Sequence, residues 1–147
     1  MSFNGKYAFV TGGSRGIGKA IALHFARLGD TVYATMRTPD KSGETLRAAA
    51  EVEELDLTLL ALDVNDDHSV ARAIGAAMER SGRIDVLVNN AGLGNLTSVE
   101  GVSMEDVKAV FETNVFGPLR TIQAVLPAMR ERRSGTIVNI TSISGRL

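Results

Sequence analysis

The segment Thr11-Gly12-Gly13-Ser14-Arg15-Gly16-Ile17-Gly18 decides the fold of this chain. It follows a short apolar run, Tyr7-Ala8-Phe9-Val10, and leads into residues with helical spacing. A helix that starts at such a turn offers its free N–H groups and its positive dipole end to an anion. Gly12 permits the tight turn, Gly16 lets a phosphate approach the backbone, and Gly18 lets the helix pack closely on the sheet. The turn therefore predicts an anion site, and a glycine-rich turn that binds no ligand is the alternative.

Strand-like and helix-like segments alternate along the whole sequence. Short apolar runs predict five strands, at residues 7–10, 31–36, 57–62, 84–88 and 135–140. Helical spacing predicts helices at residues 16–28, 41–54, 66–81 and 104–132, and on the first of these one face carries Ile17, Ala20, Ile21 and Leu28. Five buried strands separated by helices are typical of a parallel sheet covered on both faces. Residues 1–147 are thus predicted to form one doubly wound α/β domain, a Rossmann fold.

Composition narrows the classes of partner. The chain has 147 residues, and its formal net charge of −1 gives no support for a nucleic-acid partner. Cysteine is absent, which excludes disulfides and thiolate metal sites. His24 and His68 fall on separate helices and are expected at the surface, so we expect no metal site. No basic leader precedes an apolar segment, and no apolar run reaches the roughly 20 residues of a membrane helix, so we expect a cytoplasmic protein without a membrane span.

The same glycine-rich turn contains a competing motif. Gly13 to Lys19 reads G-x-x-x-x-G-K, the phosphate loop of nucleoside triphosphatases. That loop needs Ser or Thr after the lysine to bind Mg²⁺, and this sequence has Ala20 there. Because this hydroxyl is missing, a triphosphatase is the least favoured function for this chain.

Four motifs in order resemble those of the short-chain dehydrogenase/reductase family. They are the pattern Thr-Gly-x-x-x-Gly-x-Gly, then Asn89-Asn90-Ala91-Gly92 after the fourth strand, Asn114-Val115-Phe116-Gly117 in the long helix, and Ile140-Thr141-Ser142 after the fifth strand. The resemblance covers essentially the whole chain. It implies an oxidoreductase that interconverts an alcohol and a ketone or aldehyde by hydride transfer to or from a nicotinamide cofactor.

The resemblance also implies which residues bind that cofactor. They are Gly12, Ser14, Arg15, Gly16, Ile17, Gly18, Arg37, Asp63, Val64, Asn90, Ala91 and Gly92. Asp63 with Val64 would contact the adenine, Asn90 would approach the adenosine ribose, and Gly92 would let the cofactor pass close to the backbone. Most of the other positions belong to the glycine-rich turn.

The end of the second strand favours NADP over NAD. An acidic residue at this place holds the ribose hydroxyls of NAD, whereas an arginine accommodates the 2′-phosphate of NADP. Here the strand ends in Arg37, and Arg15 in the glycine-rich turn supplies a second cation. A guanidinium can bind two phosphate oxygens at once, so the two arginines favour NADP(H). The alternative is that Arg15 and Arg37 are solvated surface residues that bind no phosphate.

Two side chains are expected to take part in catalysis. Ser142 resembles the family's catalytic serine, whose hydroxyl hydrogen-bonds the oxygen of the substrate. Asn114 shares a predicted apolar helix face with Val107, Phe111, Ile122, Val125 and Met129, and Pro118 lacks the N–H that would bond the Asn114 carbonyl. The family holds a water at this asparagine in a proton relay. The hypothesis is that Asn114 does the same here, with a helix kink at Gly117-Pro118; a structural asparagine that braces the kink is the alternative.

The family's Tyr-x-x-x-Lys, its acid/base pair, should follow Ser142 on a helix beyond Leu147. Tyr7 and Tyr33 lie in or beside the first two strands and cannot replace it. The printed sequence is therefore expected to be catalytically incomplete, with its fifth strand and part of the long helix uncovered. The alternative is a non-catalytic nucleotide-binding fragment or half of a multi-chain assembly. For a complete chain, the resemblance also implies a homo-oligomer. Within the family, the segments 34–37 and 90–94 resemble those of the 17β-hydroxysteroid and retinol dehydrogenase branch.

Overall fold

The computed structural model describes residues 5–94 and 98–142, which form one five-stranded parallel sheet. The strands are β1 (Tyr7–Val10), β2 (Thr31–Met36), β3 (Leu57–Ala61), β4 (Val86–Asn89) and β5 (Thr136–Asn139). Their order across the sheet is β3-β2-β1-β4-β5, with β1 in the centre. All four strand pairs are parallel, so the carboxyl ends of the strands meet at one edge. The predicted doubly wound Rossmann fold is confirmed.

Six α-helices surround the sheet in the described part of the chain. They are α1 (Gly16–Arg27), α2 (Pro39–Ser42), α3 (Glu44–Val52), α4 (Asp67–Ser81), α5 (Met104–Phe111) and α6 (Gly117–Glu131). The helix predicted at residues 41–54 is wrong as a single element, because the chain breaks at Gly43 between α2 and α3. A side chain at Gly43 would meet the Leu59 side chain at 2.6 Å, so this break lets the connection lie against β3.

Two hydrophobic clusters cover the two faces of the sheet. Alternate residues of β1 belong to the two clusters. Phe9 packs on the side of α4 and α6, while Ala8 and Val10 pack on the side of α1 and α3. All three side chains are fully buried, as expected for the central strand of a parallel sheet.

The face predicted for α1 is wrong. Its buried residues are Gly18, Ala22, Leu23 and Ala26. The larger residue Ile17 is 62% exposed, and Leu28 is 40% exposed. Three of these four buried residues are small, because α1 packs closely on β1 and β2. The larger apolar residues of α1 therefore indicated the wrong face.

The long predicted helix has the expected length but not the expected regularity. A π-helical turn, Glu112–Phe116, joins α5 to α6, and the Gly117 N–H donates to the carbonyl of Glu112, five residues earlier. Gly117 and Pro118 then form the first turn of α6, where proline is tolerated. The irregularity predicted at Gly117-Pro118 therefore takes the form of a widened turn directly before these two residues, which we call the π turn (residues 112–116).

The buried face of this long helix also differs from the predicted one. Val125 and Met129 are buried as predicted, but Phe111 is 53% exposed and Asn114 is exposed. The residues that complete the buried face are Thr113, Gly117 and Thr121. Other apolar side chains of the long helix remain open to solvent, namely Val115, Phe116, Leu119 and Leu126.

Candidate functional site

A cleft of about 710 Å³ opens at the carboxyl edge of the sheet. This is the edge where open α/β sheets bind their ligands, and the volume suits a small-molecule site. The cleft brings together nearly all of the residues predicted to bind the cofactor: Gly12, Ser14, Arg15, Gly16, Ile17, Arg37, Asp63, Val64, Asn90, Ala91 and Gly92. It is also lined by residues that the sequence did not single out, namely Met36, Thr38, Ser42, Leu62, Asn65, Leu93 and Thr113.

The N-terminus of α1 faces this cleft without a side-chain cap. Asp66 caps α4 by accepting a hydrogen bond from the His68 N–H, and Ser103 caps α5 in the same way from Asp106. In α1 no side chain does so, and its first turn has no acidic residue. These N–H groups and the helix dipole are therefore available to a phosphate, as the glycine-rich turn predicts.

Gly18 does not line the cleft but holds α1 against the turn. A Cβ at this position would lie 2.2 Å from the carbonyl oxygen of Gly12 and 2.4 Å from the amide nitrogen of Asn90. Gly12 itself has φ +68 and Gly16 has φ +55, a backbone region that glycine adopts without strain. Gly12 thus permits the tight turn and Gly18 the close packing, as predicted, while the approach of a phosphate at Gly16 stays a prediction.

The close packing at Gly18 gives a prediction with a matched control. Gly18→Ala is expected to destabilise the fold by about 1–3 kcal/mol, because a backbone carbonyl must move to admit the methyl group. Gly75→Ala, within α4, meets nothing within 4 Å and should instead stabilise by about 0.5–1 kcal/mol. Urea unfolding of both variants measures the difference. If the urea midpoint of Gly18→Ala equalled that of the parent protein, the turn would be shown to admit the methyl group without loss of stability.

Asn90 braces the glycine-rich turn from the neighbouring strand. Its side-chain amide donates to the carbonyls of Thr11 and Gly12, both at 3.1 Å. The backbone N–H groups of Asn90 and Ala91 both donate to the Thr11 hydroxyl at 3.0 Å. The buried Thr11 is therefore a junction between β1 and β4 that the sequence did not reveal, although a threonine at the end of an otherwise apolar strand is a usable signal.

Two arginines lie at the β2 side of the cleft. Arg37 follows directly after β2, and Arg15 precedes α1. Both line the cleft, and in the described part of the chain neither forms an ion pair. The hydroxyl-bearing residues Thr38 and Ser42 line the same end, where the Ser42 hydroxyl donates to the Thr38 carbonyl at 2.8 Å.

The segment after β3, which we call the β3 loop (residues 62–66), forms another wall of the cleft. The Asp63 N–H donates to the hydroxyl of Ser69 at 2.9 Å, and the Asp63 carboxylate accepts from the Asn65 N–H at 3.0 Å. Val64 is buried beneath the loop. The loop is thus held by its own turn and by α4, with the Asp63 side chain only partly exposed.

Asn114 lies in the π turn and does not line the cleft. Its side-chain oxygen accepts from the Leu93 N–H and its amide donates to the Leu93 carbonyl, both at 2.8 Å. Leu93 does line the cleft, within the segment that we call the β4 loop (residues 90–94). The predicted burial of Asn114 is wrong, since the widened π turn presents the amide to this loop rather than to the core. A role in a proton relay stays a prediction.

Ser142 is the last residue that the structure describes, and it is exposed. It follows β5, whose ladder with β4 extends to a hydrogen bond from the Ile140 N–H to the Asn89 carbonyl at 2.9 Å. Ser142 therefore comes at the same edge of the sheet as the cleft, but it is not among the lining residues. Its catalytic role also stays a prediction.

A series of side-chain hydrogen bonds connects β5 to β4 and α6 at this edge of the sheet. The Thr121 hydroxyl donates to the side-chain oxygen of Asn89 at 2.6 Å, and the Asn89 amide donates to the Asn139 side chain at 2.9 Å. Thr121 is fully buried and Asn89 nearly so. Sequence reasoning named Asn89 only as part of a motif and missed Thr121 and Asn139, although polar residues at the carboxyl ends of two adjacent strands were the available signal.

The sequence as a whole matches a known family. Residues 6–147 match the sequence pattern of the short chain dehydrogenases. The chain belongs to the short-chain dehydrogenase family. Its fold is accordingly the Rossmann fold of NAD(P)-dependent dehydrogenases and reductases. In the described part of the chain, no three His, Cys, Asp or Glu side chains are placed to share a metal ion.

Similar proteins agree with this assignment. Human retinol dehydrogenase 8 is 44% identical over 140 residues, which cover 92% of this chain and 44% of that protein. An uncharacterised oxidoreductase of Bacillus subtilis is 42% identical over 144 residues, covering 97% of this chain and 50% of that protein. The structure of a gluconate 5-dehydrogenase from Burkholderia cenocepacia, in complex with NADP and tartrate, aligns with a TM-score of 0.89 and 32% identity over 99% of this chain and 58% of the other. The chain spans about half the length of the curated relatives that it matches.

No helix within residues 5–94 and 98–142 is both long and apolar enough to cross a membrane.

Proposed function

We propose that this chain carries the cofactor site of an NADP-dependent oxidoreductase that interconverts an alcohol and a ketone or aldehyde by hydride transfer. The observation that carries the choice of cofactor is the pair Arg15 and Arg37, which line one end of the cleft without carboxylate partners in the described structure. A dianionic 2′-phosphate offers each guanidinium a charged partner, whereas a ribose hydroxyl is neutral and offers only a weaker hydrogen bond.

The other contacts of the proposed cofactor follow from the cleft. The uncapped N–H groups of α1 and the glycine-rich turn would hold the pyrophosphate, and Asp63 would accept a hydrogen bond from the adenine amine. Ala91 and Gly92 would leave room for the ribose beside the backbone. The family resemblance and the NADP in the gluconate 5-dehydrogenase structure support this arrangement.

At the reacting end, we assign two side chains by resemblance. The Ser142 hydroxyl would donate a hydrogen bond to the oxygen of the alcohol or carbonyl and so stabilise the charge that develops there. Asn114 would keep the β4 loop in place through its two hydrogen bonds to Leu93 and would hold a water with its carbonyl. The nicotinamide supplies or accepts the hydride when it is bound.

A hydride-transfer assay tests the proposal. The protein would be assayed with NADP(H) and with NAD(H) against retinol and gluconate, the compounds that the names of two similar proteins give, and against the corresponding carbonyl compounds. We expect the chain to bind NADP(H) more tightly than NAD(H). In a protein that also supplies the Tyr-x-x-x-Lys pair, we expect cofactor-dependent turnover with at least one alcohol–carbonyl pair and a higher kcat/KM for NADP(H). A higher kcat/KM for NAD(H) would contradict the choice of cofactor, and the absence of all binding to either cofactor would contradict the site.

A further inference from the structure

Arg120 makes the densest set of polar contacts of any arginine in the described structure, and the resemblance gives it no role. Its Nε lies 2.6 Å from the Asp67 carboxylate, and its Nη2 hydrogen-bonds the Glu112 carboxylate. A third nitrogen, Nη1, donates to the Val64 carbonyl at 3.3 Å. The Arg120 side chain is only 23% exposed, compared with 52% for Arg27 in its ion pair with Glu53.

These contacts connect three segments of chain. Asp67 opens α4, Val64 lies in the β3 loop, and Glu112 begins the π turn. The planar guanidinium can hold three acceptors in fixed directions, which a lysine cannot do. The hydrogen bond to Glu112 also raises the pKa of Arg120 above its usual value, so the side chain stays charged.

Two further contacts strengthen the connection between the β3 loop and the π turn. The Asn65 amide donates to the Thr113 hydroxyl at 3.0 Å, and both residues line the cleft. A side chain on Gly117 would come within 2.9 Å of Val64, so the long helix approaches the loop as closely as glycine allows. The β3 loop is therefore docked on the π turn by packing, by an amide–hydroxyl bond and by Arg120.

The π turn is attached to the opposite wall of the cleft as well. Asn114, two residues after Glu112, holds the backbone of Leu93 through two hydrogen bonds of 2.8 Å. One widened helical turn thus contacts both the β3 loop and the β4 loop, which line the cleft from different strands.

We propose that Arg120 is a positioning residue for the cofactor: by fastening the β3 loop to the π turn, it fixes the distance between the two loops that line the cleft. Arg120 itself does not line the cleft. Its effect on binding therefore passes through Val64 and Glu112, and it concerns the part of the cofactor that NAD and NADP share.

The test compares Arg120→Met, Arg120→Lys and the control Arg27→Met. The control removes an arginine–carboxylate pair of the same 2.6 Å length that joins α1 to the end of α3, outside the cleft. Dissociation constants for NADP⁺ and NAD⁺ are measured by calorimetry, with urea midpoints for each variant. We expect Arg120→Met to weaken both cofactors by the same factor of about 10, or about 1.4 kcal/mol. Arg120→Lys should fall between it and the parent, and Arg27→Met should bind within about twofold of the parent, because an exposed pair contributes little.

Hydrogen exchange separates positioning from general destabilisation. In Arg120→Met and Arg120→Lys, amides of the β3 and β4 loops should exchange faster, while those of β1 and β2 keep their protection. Unchanged affinities in Arg120→Met would overturn the proposal, as would an equal loss in Arg27→Met or faster exchange throughout the sheet. A loss for NADP⁺ alone would indicate contact with the 2′-phosphate and would overturn it too. If Arg120→Met does not fold, Arg120→Lys decides by the same measurements. The proposed NADP preference fails separately, since it depends on the ratio of the two affinities in the parent protein.

Discussion

Replacing Arg37 by alanine is expected to weaken NADP⁺ binding by about 10- to 100-fold, because a charge-assisted hydrogen bond is worth roughly 1.5–3 kcal/mol. NAD⁺ has no 2′-phosphate, so its affinity should stay within about twofold. Arg37→Asp should go further and reverse the preference, since a carboxylate repels the phosphate but accepts hydrogen bonds from the ribose hydroxyls. Titration of the protein with each dinucleotide measures all of these affinities.

Arg72→Ala is the matched control for Arg37. Arg72 is an exposed arginine on α4 that does not line the cleft, so it changes the net charge by the same amount without touching the site. It should lower NADP⁺ affinity by less than about twofold, because exposed charges beyond the Debye length of roughly 8–10 Å are screened. An equal loss in Arg72→Ala and Arg37→Ala would mean that the effect is one of overall charge and would contradict a phosphate contact.

In a protein that also supplies the Tyr-x-x-x-Lys pair, Ser142→Ala should lower kcat by about 100- to 1,000-fold, the cost of removing one hydrogen-bond donor from a developing oxyanion. Binding of NADP⁺ should be unchanged, since Ser142 does not line the cleft. The measurement is steady-state hydride transfer with the best substrate found in the assay described above.

The neighbouring hydroxyl gives the control for this prediction. Thr141→Ala removes a hydroxyl from the adjacent residue at the same end of β5 and should keep kcat within a few-fold of the parent. The assignment of Ser142 would be contradicted by a larger loss in Thr141→Ala than in Ser142→Ala. It would also fail if Ser142→Ala kept its kcat and changed only KM.

The features that the sequence predicted well depend on local rules. The bounds of β1 and β2 follow from short, mainly apolar runs between polar residues, and both agree with the structure. The helix predicted at residues 66–81 also agrees with α4 to within one residue: Asp66 accepts from the His68 N–H at its start, and Gly82, with φ +71, follows its end. The glycine-rich turn located the cleft for the same reason, because its spacing constrains the backbone directly.

The features that were missed depend on contacts between distant segments. The buried face of the long helix contains Thr113, Gly117 and Thr121, which no apolar pattern selects because two are polar and one has no side chain. Local spacing did not predict the π turn either, although Pro118 marked the place of the irregularity; Gly117, directly after the π turn, packs closely on Val64. The roles of Arg120 and Asn90 as braces require the fold itself, because their partners lie 56 and 79 residues away along the chain.

We propose that the cleft recognises a 2′-phosphate at the end of β2. The most direct measurement is a calorimetric titration of the protein with 2′,5′-ADP and with 5′-AMP, which differ only in that phosphate. We predict that 2′,5′-ADP binds about 10- to 100-fold more tightly and that raising the salt concentration narrows the difference. Equal affinities for the two nucleotides, at low as well as high salt, would contradict the account.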